Sequence, residues 1–169
     1  MSGMRRLTLL FLVVALLVPG AALAQGYESS VSTLPSDVQS RLKSGGFWRP
    51  GCPVALRDLR LLTVKHWDWN GKRATGRLVV NEAAAQRLRG VFARLYGLHF
   101  PIRDMRFGHF YGPSNERYSD VTASFQCRQS VSSPCNGGGP SGRWSNHAYG
   151  LAIDINPREN PYVGCGASY

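Results

Sequence analysis

Ser145-Asn146-His147-Ala148-Tyr149-Gly150-Leu151-Ala152-Ile153-Asp154-Ile155-Asn156-Pro157 is the stretch on which the fold reading turns. Leu151, Ile153 and Ile155 alternate with Gly150, Ala152 and Asp154, the period-two pattern of a half-buried strand. Asp154 then projects from the face opposite the Leu/Ile row, among small neighbours. His147 and Asp154 stand an odd number of positions apart, so on one flat strand they would point to opposite faces. A turn at Ala148–Gly150 would bring both to one ion. Imidazole nitrogen with carboxylate oxygen is a common zinc pairing, completed by at least one further protein ligand. The competing reading is a core strand with one hydrogen-bonded aspartate and a surface histidine.

The string Ser145-x-His147-x-x-Gly150-x-Ala152-x-Asp154 resembles, at every specified position, the S-x-H-x-x-G-x-A-x-D signature of the zinc D-alanyl-D-alanine carboxypeptidase family. That family includes VanY-type carboxypeptidases and endolysins that cut the L-alanyl-D-glutamate bond. The continuation Ile155-Asn156-Pro157 and Asn160-Pro161-Tyr162-Val163 is similar to the branch found in secreted bacterial proteins. The resemblance implies His147 and Asp154 as the first two zinc ligands and Ser145 as a substrate-holding residue. Thr122-Ala123-Ser124-Phe125-Gln126-Cys127-Arg128 resembles the family segment that carries a substrate-binding arginine, and Arg128 falls on that position. A guanidinium can grip a peptide carboxylate or a developing oxyanion with two parallel hydrogen bonds.

The fold implied is α+β and hedgehog/DD-peptidase-like: a small antiparallel sheet with packed helices and zinc at one sheet edge. The activity implied is zinc-dependent hydrolysis of peptidoglycan stem peptides, most readily removal of a terminal D-alanine, with endopeptidase cleavage second. In the family a later histidine is the third ligand, and an acid three positions before it takes the proton of the attacking water. No histidine follows Asp154 here, and the only later acid is Glu159. Thr63, Tyr96, Arg106 and Trp144 stand three before His66, His99, His109 and His147, so the chain holds no D/E-x-x-H pair. The resemblance runs from about Phe47 to Tyr162, with the carboxyl-terminal part of the fold missing. Three readings follow: a peptidase given as a truncated sequence, a non-catalytic cell-wall-binding relative, or a site that recruits His109 or His66. Two ligands alone predict poor zinc affinity and weak activity.

Arg5 and Arg6, the apolar run Leu7 to Val18 and Ala22-Leu23-Ala24 have the layout of a secretory signal over residues 1–24. That run is too short for a transmembrane helix, so a secreted, wall-associated protein without stable membrane insertion is expected. Residues 25–46 read as a polar leader and a short helix, and residues 47–169 as the peptidase-like domain, expected to be monomeric. Arg5 and Arg6 account for two of the +10 formal charge, which leaves +8 beyond the signal. The basic residues are scattered rather than blocked. They suit an anionic wall better than nucleic acid, for which no basic stripe with interleaved aromatics exists. The four cysteines allow three pairings, of which Cys127–Cys135 with Cys52–Cys165 is the preferred one.

Ser36-Asp37-Val38-Gln39 matches a capping box, opening a helix to about Ser44 that buries Val38 and Leu42 and ends at Gly45-Gly46. Leu59 to Trp69 and Leu78 to Val80 flank Asn70-Gly71, which predicts a two-residue hairpin turn. Trp67 and Trp69 beside it could stack on sugar rings or cover the core. Asn81 caps a helix over Glu82–Tyr96 with Ala84, Ala85, Leu88, Val91, Phe92 and Leu95 as its apolar stripe and Gly97 as its end. A strand from Phe100 should carry Met105, Phe107, His109 and Tyr111 on one face. Gln129 to Gly142 reads as a Gly/Ser/Pro loop bordering a groove.

Overall fold

The computed structural model describes residues 26–107, 120–132, 139–161, 163–164 and 167–168. The predicted signal, His109, Tyr111, Cys135 and Cys165 lie outside the described residues. The class is α+β. Its centre is a three-stranded antiparallel sheet, β1 (Ser29–Thr33), β2 (Leu59–Trp67) and β3 (Arg73–Asn81), with β2 in the middle. Helix α1 (Ser36–Ser44) follows β1, and α2 (Glu82–Gly97) follows β3 without a break.

The central pair follows from its alternation. Leu62, Val64, Leu78 and Val80 face α2 and join Ala85, Phe92, Ile102 and Met105 in one apolar cluster. Leu59, Leu61 and Val79 face the other way and join Leu34, Val38, Leu42, Phe47, Phe107, Phe125 and Cys127. The sheet is therefore covered on both faces, and even and odd positions of β2 serve different cores. The turn is longer than Asn-Gly alone would make it. Trp67 pairs with Arg73, Asp68 N–H donates to Lys72 O at 2.8 Å, and Asp68 Oδ1 accepts from Asn70 and Lys72 N–H. The aspartate side chain organises the loop, with Gly71 at φ +71° inside it.

Residues 29–33, read as part of a loose leader, form β1, in register from Ser29 opposite Val64 to Thr33 opposite Arg60. An edge strand with one face half-buried needs no apolar run; Val31 packs on the α2-side cluster, Ser29 Oγ accepts from Arg89 Nε of α2 at 3.1 Å, and Ser30 and Ser32 face outward. The capping box does not form. Pro35 occupies the cap position, no side chain caps the helix, and Gln39 Nε2 donates instead to Leu34 O at 2.9 Å. Val38 and Leu42 are buried as expected, and the helix closes on Gly45 and Gly46.

In α2, Asn81 Oδ1 accepts from Ala83 N–H at 3.0 Å. Its buried residues are Ala85, Phe92, Ala93 and Tyr96, whereas Val91 is 48% exposed. The inward face is rotated from the predicted stripe because Tyr96 stacks on Trp67, with ring centroids 5.1 Å apart. His99, not Gly97, takes the left-handed position after the helix, at φ +53°, and stacks on the same indole. Trp67 is thereby half-buried against Tyr96 and His99; Trp69 stays 44% exposed under the Arg103 guanidinium.

The remaining strands are short. β4 (Asp104–Met105) pairs in parallel with β5 (Val121–Thr122); among the described residues Asp104 and Met105 are what forms of the strand expected from Phe100 onward, whose later half lies outside them. β6 (Gln129–Val131) and β7 (Pro140–Trp144) pair antiparallel at the two ends of the stretch read as a loop. β8 (Val163–Gly164) and β9 (Ala167–Ser168) form a further small pair. Among the described residues no helix is long and apolar enough to cross a membrane.

The predicted disulfide pairing is overturned. Cys52 bonds Cys127, at an S–S distance of 2.05 Å. The loop after α1 lies against residues 125–127, where Cys127 N–H donates to Phe47 O at 3.0 Å and Arg49 Nη1 donates to Cys127 O at 2.9 Å. Short sequence spacing favoured Cys127–Cys135, but the packing brings together two cysteines 75 positions apart.

Candidate metal centre

A turn does separate His147 from Asp154. Residues Asn146–Tyr149 form one 3-10 turn, and Gly150 follows it in the left-handed region at φ +67°. Ser145 is the cap, its Oγ accepting from His147 N–H at 3.3 Å. Gly150 is required there for two reasons. Its φ is one that L side chains avoid, and an added Cβ would stand 2.7 Å from Asn81 N and 3.2 Å from Val80 C, both backbone atoms. The turn is so close to β3 because Asn81 N–H donates to Gly150 O at 2.9 Å, while Asn81 Nδ2 donates to Tyr149 O at 2.9 Å. Gly150→Ala is expected to destabilise the protein by about 2 kcal/mol or more; unchanged thermal melting would contradict this.

Residues 151–155 do not form the predicted strand. They run extended, with one isolated antiparallel bridge between Asp154 and Ala123, and Leu151 is 55% exposed. Ile153 and Ile155 do pack on the α2-side cluster. A single bridge suffices to place the carboxylate, since both backbone bonds of Asp154 go to Ala123, at 3.0 and 3.1 Å.

Beyond Asp154, Asn156 is an anchor. It is 1% exposed, with φ +44°; its Nδ2 donates to Pro101 O at 2.8 Å and its Oδ1 accepts from Arg103 N–H at 3.1 Å. Arg103 also joins two carboxylates, Asp120 and Glu159, each at 2.7 Å. Burial, and then a hydrogen bond with Glu159, pushes the Asp120 carboxyl above its ordinary range. The Arg103 guanidinium holds Glu159 below its own.

The result is a close pair. His147 Nε2 stands 3.3 Å from Asp154 Oδ2, with the imidazole largely buried and the carboxylate about a third exposed. His147 Nδ1 is 2.7 Å from Ser124 O. A carbonyl can only accept, so Nδ1 carries the proton, and in the neutral ring Nε2 keeps its lone pair. A nitrogen lone pair and a carboxylate oxygen face each other stably only with positive charge between them, either a proton or a metal ion. Ligand distances near 2.0–2.1 Å at a tetrahedral ion give ligand–ligand edges of about 3.3 Å. The ring-to-carbonyl bond is also the arrangement that orients metal-bound histidines in general. These two residues fit a zinc ion as part of its ligand set.

Among the described residues no group of three or more His, Cys, Asp or Glu side chains could hold a metal. His66, one of the two histidines considered as a substitute ligand, does not join the pair. It is 5% exposed on β2, opposite Ala74, with Nδ1 3.1 Å from Trp67 O. His109, the other, lies outside the described residues.

Arg128 belongs to the same neighbourhood. Its backbone O accepts from Ser145 N–H at 3.1 Å, and its Nε donates to Gln126 Oε1 at 3.0 Å. In the strip of residues 123–128, Phe125 and Cys127 enter the core, Ser124 O meets the His147 ring, Gln126 Oε1 accepts from Arg128 Nε, and a tight turn brings Arg128 N–H to Gln126 O at 2.9 Å. Ser124 Oγ donates to Ala152 O at 2.7 Å, which ties the strip to the segment leading into Asp154. Ser124 and Gln126 escaped the reading of the residues. The signal for them was the alternation of Phe125 and Cys127 with three polar side chains.

In comparisons with known proteins, the family model described as D-alanyl-D-alanine carboxypeptidase matches residues 138–168. That stretch contains Ser145, His147 and Asp154. The match makes this stretch similar to that peptidase family. No curated protein matches the chain, and no solved structure matches it.

Proposed function

We propose that the protein is a zinc-dependent peptidase acting on peptidoglycan stem peptides, of the D-alanyl-D-alanine carboxypeptidase type. The observation that carries this reading is the convergence of His147 Nε2 and Asp154 Oδ2 at 3.3 Å, inside the stretch matched by the carboxypeptidase model. His147 and Asp154 would hold the ion, which when bound polarises a water and the scissile carbonyl. His147 binds as the neutral ring, kept in that tautomer by Ser124 O. Asp154 supplies a negative charge that balances the cation.

Arg128 recognises the terminal carboxylate of the peptide. Ser145 caps the turn that presents His147, and its hydroxyl proton remains available to the substrate. The formal charge of +8 left beyond the signal favours approach to an anionic wall. With His147 and Asp154 as its two identified ligands, turnover by this chain is expected to be slow.

The test is D-alanine release from a synthetic stem pentapeptide ending in D-alanyl-D-alanine. Release that EDTA abolishes and zinc restores is the expected result. Release indifferent to EDTA, or none across a full zinc titration, would overturn the reading.

A further inference from the structure

The strip that carries Arg128 is bonded on both edges. Phe125 N–H donates to Val79 O at 3.2 Å and Cys127 N–H to Phe47 O at 3.0 Å, which anchors one edge to the sheet and the α1 loop. On the other edge, Ser124 O takes the His147 ring, Gln126 N–H donates to His147 O at 3.1 Å, and Arg128 O takes Ser145 N–H at 3.1 Å. His147 is therefore gripped twice, once by its ring and once by its backbone. The second grip comes from the residue whose side chain holds Arg128.

We infer that Gln126 is a positioning residue that sets the Arg128 guanidinium at a fixed place relative to the metal pair, and so makes the site selective for peptides with a free terminal carboxylate. This rests on the proposed role of Arg128. A free arginine side chain loses rotamer freedom when it clamps a ligand. The Nε–Oε1 bond at 3.0 Å limits that freedom before the ligand arrives. With Nε directed at Gln126, the Nη1–Nη2 end is the fork presented to a carboxylate. Among the described residues, Nη1 donates one long bond, to Gln129 O at 3.4 Å.

Because the Gln126 backbone holds His147 while its side chain holds Arg128, the distance between metal and carboxylate sites is set by one residue. A carboxypeptidase needs that distance to be constant, since it measures one residue from chain end to scissile bond.

The experiment uses the full chain with zinc and two acetylated tripeptides ending in D-alanyl-D-alanine, one as the free acid and one as the amide. Binding is followed by calorimetry alongside zinc stoichiometry. Gln126→Ala is expected to weaken binding of the acid by about tenfold. Binding of the amide and of zinc is expected to stay unchanged, and Gln126→Glu, which keeps the acceptor, to retain acid preference. Arg128→Ala is the control for the underlying reading and should abolish the preference for the acid. If Arg128→Ala abolishes it and Gln126→Ala leaves it intact, the inference fails while the reading of Arg128 stands. If Arg128→Ala has no effect, that reading fails and the inference with it. Loss of zinc binding in Gln126→Ala would show a merely structural role and overturn the inference.

Discussion

Replacing His147 with alanine is expected to lower zinc affinity by more than about 100-fold, larger than the 10–100-fold usual for losing an outer-shell partner. The expectation follows from what surrounds the ring. His147 Nε2 is the only neutral donor of the pair, and its position is set in advance by Ser124 O at 2.7 Å and by the capped turn. No rearrangement of the backbone is needed to present it. Asp154 alone would then meet the cation as a partly exposed carboxylate, and such a contact is weak in water. His147→Asn is the sharper comparison, since it can keep a bond to Ser124 O while losing the imidazole nitrogen. Zinc titrations that gave equal affinity for wild type and both variants would place the metal elsewhere. Competition with a chromogenic chelator reads this without any need for turnover.

The parts of the molecule visible in the residues are those governed by local rules. The hairpin of β2 and β3 follows from alternating apolar runs about Asn70-Gly71, and α2 from Asn81 followed by a helical stripe. The turn between His147 and Asp154 follows from parity: an odd separation cannot put two side chains on one face without one. Gly150 at φ +67° supplies it.

What escaped depends on partners remote in sequence. β1 is polar because it lies at a sheet edge, and only its pairing with β2 makes it a strand. Gln39 turned to Leu34 O when Pro35, not Ser36, took the cap position. Residues 151–155 carry a strand pattern but meet one bridge partner, so Leu151 faces solvent. Ser124 matters through its backbone oxygen, which no residue type reveals.

Removing the Cys52–Cys127 bond should cost about 4 kcal/mol, the loop-closure entropy of a 75-residue separation. That corresponds to a fall in melting temperature of roughly 10–15 °C for a domain of this size. The expected consequence reaches the metal pair as well. Residues 124–128 have no continuous ladder on either edge; they are held by separate backbone bonds, by Phe125 and Cys127 in the core, and by this covalent tie. The same residues orient His147 through Ser124 O and carry Arg128. A Cys52→Ser, Cys127→Ser double variant should therefore bind zinc about tenfold more weakly at temperatures where it is still folded, an outer-shell effect in size. Cys52→Ser alone separates loss of the bond from loss of the Cys127 side chain, which is 3% exposed. Peptide mapping without reductant must show Cys52 joined to Cys127. A map joining Cys52 to Cys165 would remove the basis for both effects, and a double variant melting with wild type would show that packing alone holds the strip.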